Sequence, residues 1–157
     1  MEKIPMTSAG FKVLQDELKR LKTIERPAVI QEISEARELG DLSENAEYHA
    51  ALEQQSFLEG HIGELEDKLS RAYVIDISKL SGDIVKFGAI ITLINEETDE
   101  NVTYQIVGAD ESDIKRGLLS IASPLARALI GKKKSECISF TTPRGKKLYE
   151  ILEVKFS

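Results

Sequence analysis

The chain has no Trp, one Cys among 157 residues, and only 6% aromatic side chains. With Cys137 alone, an internal disulfide framework and a four-cysteine zinc site are both excluded, and a reducing cytoplasm is the expected setting. Scarce aromatics disfavour an aromatic-rich recognition surface. No apolar run approaches the roughly 18 to 20 residues of a membrane span, and Met1-Glu2-Lys3-Ile4-Pro5 is not followed by a signal-peptide core. The net charge of −6 makes the whole molecule a poor candidate for wrapping a phosphate backbone by counterion release. The most informative absence is local: residues 38–67 contain no Lys or Arg, against nine acidic side chains.

That acidic stretch lies between basic ones. Lys3, Lys12, Lys19, Arg20, Lys22, Arg26 and Arg37 precede it, and positive charge returns in Lys132-Lys133-Lys134 and Arg144-Gly145-Lys146-Lys147. The alternation gives either a docking polarity or a set of solvated faces. Beneath it runs a helical pattern. Thr7 or Ser8 can cap a first helix with Leu14, Leu18 and Leu21 on one face, and Val29, Ile33 and Ala36 resume the stripe after Pro27. Because Pro27 lacks an N–H and its ring clashes with the preceding turn, a kink or short break is expected there. Gly40 ends the pattern.

A second helical pattern follows, with Leu58, Ile62, Leu65, Leu69 and Ala72 at coiled-coil spacing. Nearer the turn, Tyr48, Ala51 and Gln55 take the equivalent positions, so that end is expected to pack less tightly. Two helices joined by a short turn run antiparallel, as arms on the order of 50 Å long. From about residue 73 the period shortens to strand-like runs at 73–77, 89–94, 102–107, 137–141 and 148–156. Ser123-Pro124 through Gly131 carries a cap, a first-position Pro and a terminating Gly, which predicts one short helix. The class is therefore α+β, with a helical coiled coil over 1–76 and a compact domain over 77–157. Cys137 falls in a strand pattern and is expected in the core.

By its chemistry, the turn Gly40-Asp41-Leu42-Ser43-Glu44-Asn45 is the expected working end. Asp41 and Glu44 are three apart, the spacing of a capping box, and Ser43 is an alternative cap. The other use of two carboxylates is a divalent cation: Mg²⁺ keeps several waters and is held by one or two carboxylates plus partner groups. Two carboxylates make half a site, so they would complete a metal centre that belongs to another molecule. His49 reads as a solvated helix residue and His61 lacks a partner at metal-binding spacing.

Gly40-Asp41-Leu42-Ser43-Glu44-Asn45-Ala46-Glu47-Tyr48-His49-Ala50-Ala51, preceded by Glu35-Ala36-Arg37-Glu38, resembles the tip of the bacterial Gre transcript cleavage factors. The likeness continues in Ser123-Pro124-Leu125-Ala126-Arg127-Ala128-Leu129-Ile130-Gly131-Lys132 and in Ile4-Pro5-Met6-Thr7, and covers essentially the whole chain. It implies an antiparallel coiled coil with its acidic tip at 40–45, an FKBP-like docking domain, and a cytoplasmic, monomeric partner of RNA polymerase. On that resemblance Asp41 and Glu44 hold a second Mg²⁺, shared with the polymerase, and orient the hydrolytic water. Ser43, Ser123 and Pro124 touch the polymerase, and Arg37 touches the nascent RNA 3′ segment. The implied activity is stimulated cleavage of backtracked RNA by the polymerase; the chain is not an enzyme alone. Two positions depart from the pattern. Leu52 stands where members often carry a second Arg, and Ala122 where they commonly have a polar residue. The rivals are a channel-plugging inhibitor that stimulates no cleavage and a prolyl isomerase, against which the aromatic shortage argues.

Overall fold

The computed structural model describes residues 2–156. It divides into two compact units, one built on Phe11–Ala72, the other on Ile4–Gly10 and the residues from Tyr73 onward.

The helical unit is formed by α1 (Ser8–Arg20), a π-helical turn (Leu21–Glu25), α2 (Arg26–Arg37) and α3 (Ala46–Ser70). Its seam is Leu14, Leu21, Val29 and Ala36 from the first arm with Ala51, Ile62 and Leu65 from α3, all buried. Half-buried Leu18, Ile33, Leu58 and Leu69 flank them. In α3 the seam keeps a strict seven-residue repeat, through 48, 55, 62 and 69 and through 51, 58 and 65. The first arm does not. Leu14 to Leu21 and Val29 to Ala36 are steps of seven, but Leu21 to Val29 is a step of eight. A helix that ran on in α geometry would turn Val29, Ile33 and Ala36 away from α3 by one residue. The π turn absorbs the extra residue, with Arg26 N–H donating to Leu21 C=O, five residues back.

The break expected near Pro27 takes this form: α-helical geometry is interrupted over Leu21–Glu25, directly before Arg26 and Pro27. Pro27 falls within the first two positions of α2, where a missing N–H costs little. The altered spacing also shows in the charges: Arg20 Nη1 meets Glu25 Oε1 at 2.7 Å, five residues apart. Across the helix pair, Arg26 grips Glu59 with two hydrogen bonds of 2.8 and 2.7 Å, and Lys22 Nζ reaches Glu66 at 3.0 Å. All four side chains are partly exposed, so these pairs fix register more than they add stability. His61, for which no partner is expected from sequence, stands 3.7 Å from Glu17.

The second unit carries β1 (Ile4–Thr7) paired with β2 (Ala72–Ile75), and a mixed sheet in the order β5-β4-β3-β7-β6. Its strands are β3 (Ile90–Asn95), β4 (Asn101–Val107), β5 (Leu118–Ser120), β6 (Cys137–Thr142) and β7 (Gly145–Lys155), with α4 (Pro124–Leu129) between β5 and β6. Only β4 and β5 run parallel. The core comprises Ile91 and Leu93 of β3, Ile106 of β4, Leu125, Ala126 and Leu129 of α4, Ile138 of β6, and Ile151 with Phe156. Ile151 and Phe156 are five apart and could not share a face of a regular strand. A bulge in β7, seen as a register shift opposite Thr92 and Leu93, inserts the residue that lets both point inward.

Ser123 accepts from Ala126 N–H at 3.2 Å and Gly131 takes φ +85°, as the cap, Pro and Gly of that segment predict. Cys137 is a correction. It lies in β6 as expected but is exposed, because Ile138 takes the inward position and neighbouring residues of a strand alternate faces. Near the chain start, Thr7 Oγ1 caps α1 by accepting from Gly10 N–H at 3.0 Å. The Glu111 carboxylate accepts from Thr7 N–H at 3.0 Å, from the Thr7 hydroxyl and from Gly108 N–H at 2.9 Å. Gly108 is required there, since a Cβ would lie 2.5 Å from the Pro5 carbonyl oxygen.

Candidate functional site

The loop from Glu38 to Asn45 joins α2 to α3, and its side chains at Asp41, Leu42, Ser43 and Glu44 are all exposed. The helix before it stops in stages. Glu38 N–H donates to Glu35 C=O at 3.2 Å and Leu39 N–H to Ala36 C=O at 3.1 Å, and Gly40 then takes φ +123°, open to glycine at little cost. On the far side, α3 begins at Ala46 with Asn45 as its cap: Asn45 Oδ1 accepts from Tyr48 N–H at 3.0 Å. The same side chain donates from Nδ2 to the Ala36 carbonyl at 2.6 Å, back across the hairpin.

This arrangement removes helix capping from the uses open to the carboxylates. Neither Asp41 nor Glu44 caps α3, and Ser43 does not either. The helix starts too late for any of them, and Asn45 already fills the position. Asp41 instead closes a local turn, its Oδ1 accepting from Ser43 N–H at 3.0 Å and from Ser43 Oγ at 2.8 Å. The Ser43 hydroxyl, then the Ser43 amide, hold the Asp41 carboxyl below the usual carboxylate range. Its folded pKa being depressed, the turn is at full strength above the ordinary aspartate range and is lost as pH falls through the lowered value. Ser43→Ala removes the larger cause and leaves the amide. The Asp41 midpoint, followed by carboxyl carbon NMR, is expected to rise toward the ordinary value; an unchanged midpoint would dismiss the hydroxyl's part.

Glu44 points from the same loop, and among the described residues no side chain pairs with it. Among those residues no three His, Cys, Asp or Glu side chains gather into a metal-binding group. The tip thus presents two exposed oxygen donors and an incomplete ligand set. Arg37 is the last residue of α2, exposed beside the loop. Leu52, the position without a second Arg, is exposed on α3. Between α2 and α3 just behind the loop lies a groove of about 480 Å³, lined by Glu32, Glu35, Ala36, Leu39, Glu47 and Ala51 among others.

Ser123 and Pro124 belong to the other unit. Pro124 is exposed, Ser123 is half-buried as a cap, and Ala122 is exposed. Cys137 is a poor candidate for a nucleophile. Its thiol bonds Glu96 Oε1 at 3.1 Å, and that bond, with desolvation and the nearby carboxylates, pushes its pKa up. His49 packs its ring edgewise on Tyr48, 5.6 Å between centroids. Asn45 is the residue of the site whose role sequence reasoning missed. Its signal, a favoured cap residue directly before Ala46-Glu47-Tyr48, was masked by the Asp-x-x-Glu spacing upstream.

Known proteins show the same pattern from end to end. The family model described as the N-terminal part of transcription elongation factors GreA and GreB matches residues 4–74, and the one for the GreA/GreB C-terminal part matches residues 80–156. The transcription elongation factor GreA of Cereibacter sphaeroides (strain ATCC 17025 / ATH 2.4.3) is 65% identical over 156 residues, covering 99% of both chains. That of Azorhizobium caulinodans is 61% identical over 157 residues and covers 100% of both; that of Phenylobacterium zucineum is 60% identical over 156 residues and covers 99% of both. With both halves matched in order and such identity sustained along the full length, this chain belongs to the GreA/GreB family of transcription elongation factors.

Proposed function

We propose that this chain inserts its hairpin tip into the secondary channel of RNA polymerase and makes the polymerase cleave its own backtracked transcript, releasing short 3′ fragments and rescuing arrested complexes. The observation that carries the proposal is the state of the two carboxylates: Asp41 and Glu44 are exposed, and neither is used in helix capping, because Asn45 does that. Hard oxygen donors of this kind suit Mg²⁺, and two of them suit a centre completed by another protein. Asp41 would bind through the oxygen that Ser43 leaves free, and Glu44 through its unpaired carboxylate.

When bound, a second Mg²⁺ held by Asp41 and Glu44 with the polymerase would make its water more acidic and offset charge on the phosphodiester. The residues of this chain do the rest. Asp41 and Glu44 would hold that ion and orient the attacking water, Arg37 faces the phosphates of the RNA 3′ segment, and Ser43 touches the polymerase. Ser123 and Pro124 anchor the second unit at the channel rim; Ser123 accepts with its oxygen at the α4 cap and keeps its hydroxyl proton for a partner. The protein acts as a cytoplasmic monomer, and among the described residues no helix is long and apolar enough to cross a membrane.

The test is a stalled, backtracked polymerase complex carrying 3′-labelled RNA, given the protein across a Mg²⁺ titration. Rapid release of short labelled fragments is expected. No fragments, together with slowed elongation, would replace this reading with that of a channel-blocking inhibitor.

A further inference from the structure

The loop that carries the two carboxylates is short of internal bonds. Among the described residues, Asp41 is tied only to Ser43, two residues on, and Glu44 to nothing. What joins the two ends of the loop is one amide side chain. Asn45 caps α3 through Oδ1 and, through Nδ2, holds the Ala36 carbonyl at the end of α2, nine residues back. The orientation of the amide is fixed by its partners, since exchanging O and N would aim a donor at the Tyr48 N–H and an acceptor at the Ala36 carbonyl. Capping alone does not call for Asn: Asp and Ser cap about equally well. Only Asn offers an acceptor to one helix and a donor to the other from the same planar group.

We propose that Asn45 is a positioning residue for transcript cleavage, clamping the root of the loop so that Asp41 and Glu44 are presented in one geometry. The proposal rests on the reading of the tip given above. Its physical content is that a bond across the base of the loop removes freedom that would otherwise have to be lost in the polymerase active site. Misplacing a reacting group by about 1 Å can cost up to roughly 100-fold in rate.

Two substitutions separate clamp from cap. Asn45→Asp keeps the capping oxygen but turns a carboxylate oxygen, not a donor, toward the Ala36 carbonyl. Asn45→Ser caps with a single oxygen too short to span the hairpin, and adds no charge. Both are compared in the full chain with wild type and with Asp41→Ala. The readouts are cleavage in backtracked complexes, competition for polymerase, thermal loss of helix, and NMR order parameters of the amides of residues 39–44. Both Asn45 variants are expected to keep the wild-type helical transition and the Tyr48 amide protection, to compete for polymerase, to loosen residues 39–44, and to cleave about 10- to 100-fold more slowly. Wild-type cleavage by Asn45→Ser, or unchanged order in the loop, overturns the clamp. Slow cleavage by Asn45→Asp alone overturns it too, by assigning the effect to charge. If Asp41→Ala cleaves as wild type, the reading of the tip has failed, and the catalytic role of Asn45 falls with it. If Asp41→Ala is inactive while Asn45→Ser is not, only the clamp has failed.

Discussion

Asp41→Ala and Glu44→Ala are each expected to lower stimulated cleavage by roughly 100-fold or more, the order of loss when a reacting group is no longer held in place. Polymerase binding should stay close to wild type, measured as competition for the channel. The structure makes this a clean experiment. Had either carboxylate capped α3, its removal would have cost about 1 kcal/mol of helix stability, and lost activity could have been lost structure. Asn45 caps instead, Asp41 bonds only within its own turn, and both side chains project from an exposed loop. The helical transition of both variants should therefore overlay that of wild type. Normal cleavage by either variant would remove that residue from the chemistry.

The second large effect concerns the π turn. Deleting Ile24 restores the seven-residue step between Leu21 and the residue now at Val29, so the seam no longer needs a widened turn. The arm would then run as continuous α-helix, and Pro27 would lie in its interior, one hydrogen bond short and against the carbonyl four residues before it. That costs about 3 kcal/mol. The deletion alone is expected to destabilise the helical transition by about that amount, read by circular dichroism in denaturant. Combined with Pro27→Ala it should recover wild-type stability or exceed it. A deletion as stable as wild type with Pro27 in place would show that the turn and the proline are unrelated.

Much of this architecture is legible in residue order because it follows from local periodicity. The stripe of Leu14, Leu18 and Leu21, the heptads of α3 and the Ser123-Pro124 to Gly131 helix all appear where the spacing places them. What eluded the sequence is short or depends on a distant partner. β1 and β5 have four and three residues, too few to show a period, and exist because β2 and β4 are there to pair with them. The outward turn of Cys137 follows from strand phase, which one residue reverses. The interruption expected at Pro27 falls at Leu21–Glu25, and its π form follows from the step of eight, which has meaning only against the steps of seven in the facing helix.

The tip divides the same way. Its residues, their exposure and their acidity are fixed by composition and by the turn chemistry of Gly40, and the likeness to the Gre factors is carried by the motif itself. Which side chain caps α3 was decided only by tertiary structure, because Asp-x-x-Glu and Asn-x-x-Tyr are both locally acceptable starts. Asn45 has an advantage no local rule contains: its second amide atom meets the Ala36 carbonyl on the opposite helix. Sequence thus determined what the loop presents. The packing of one helix on another decided which residue holds it, and by doing so left both carboxylates out of the cap.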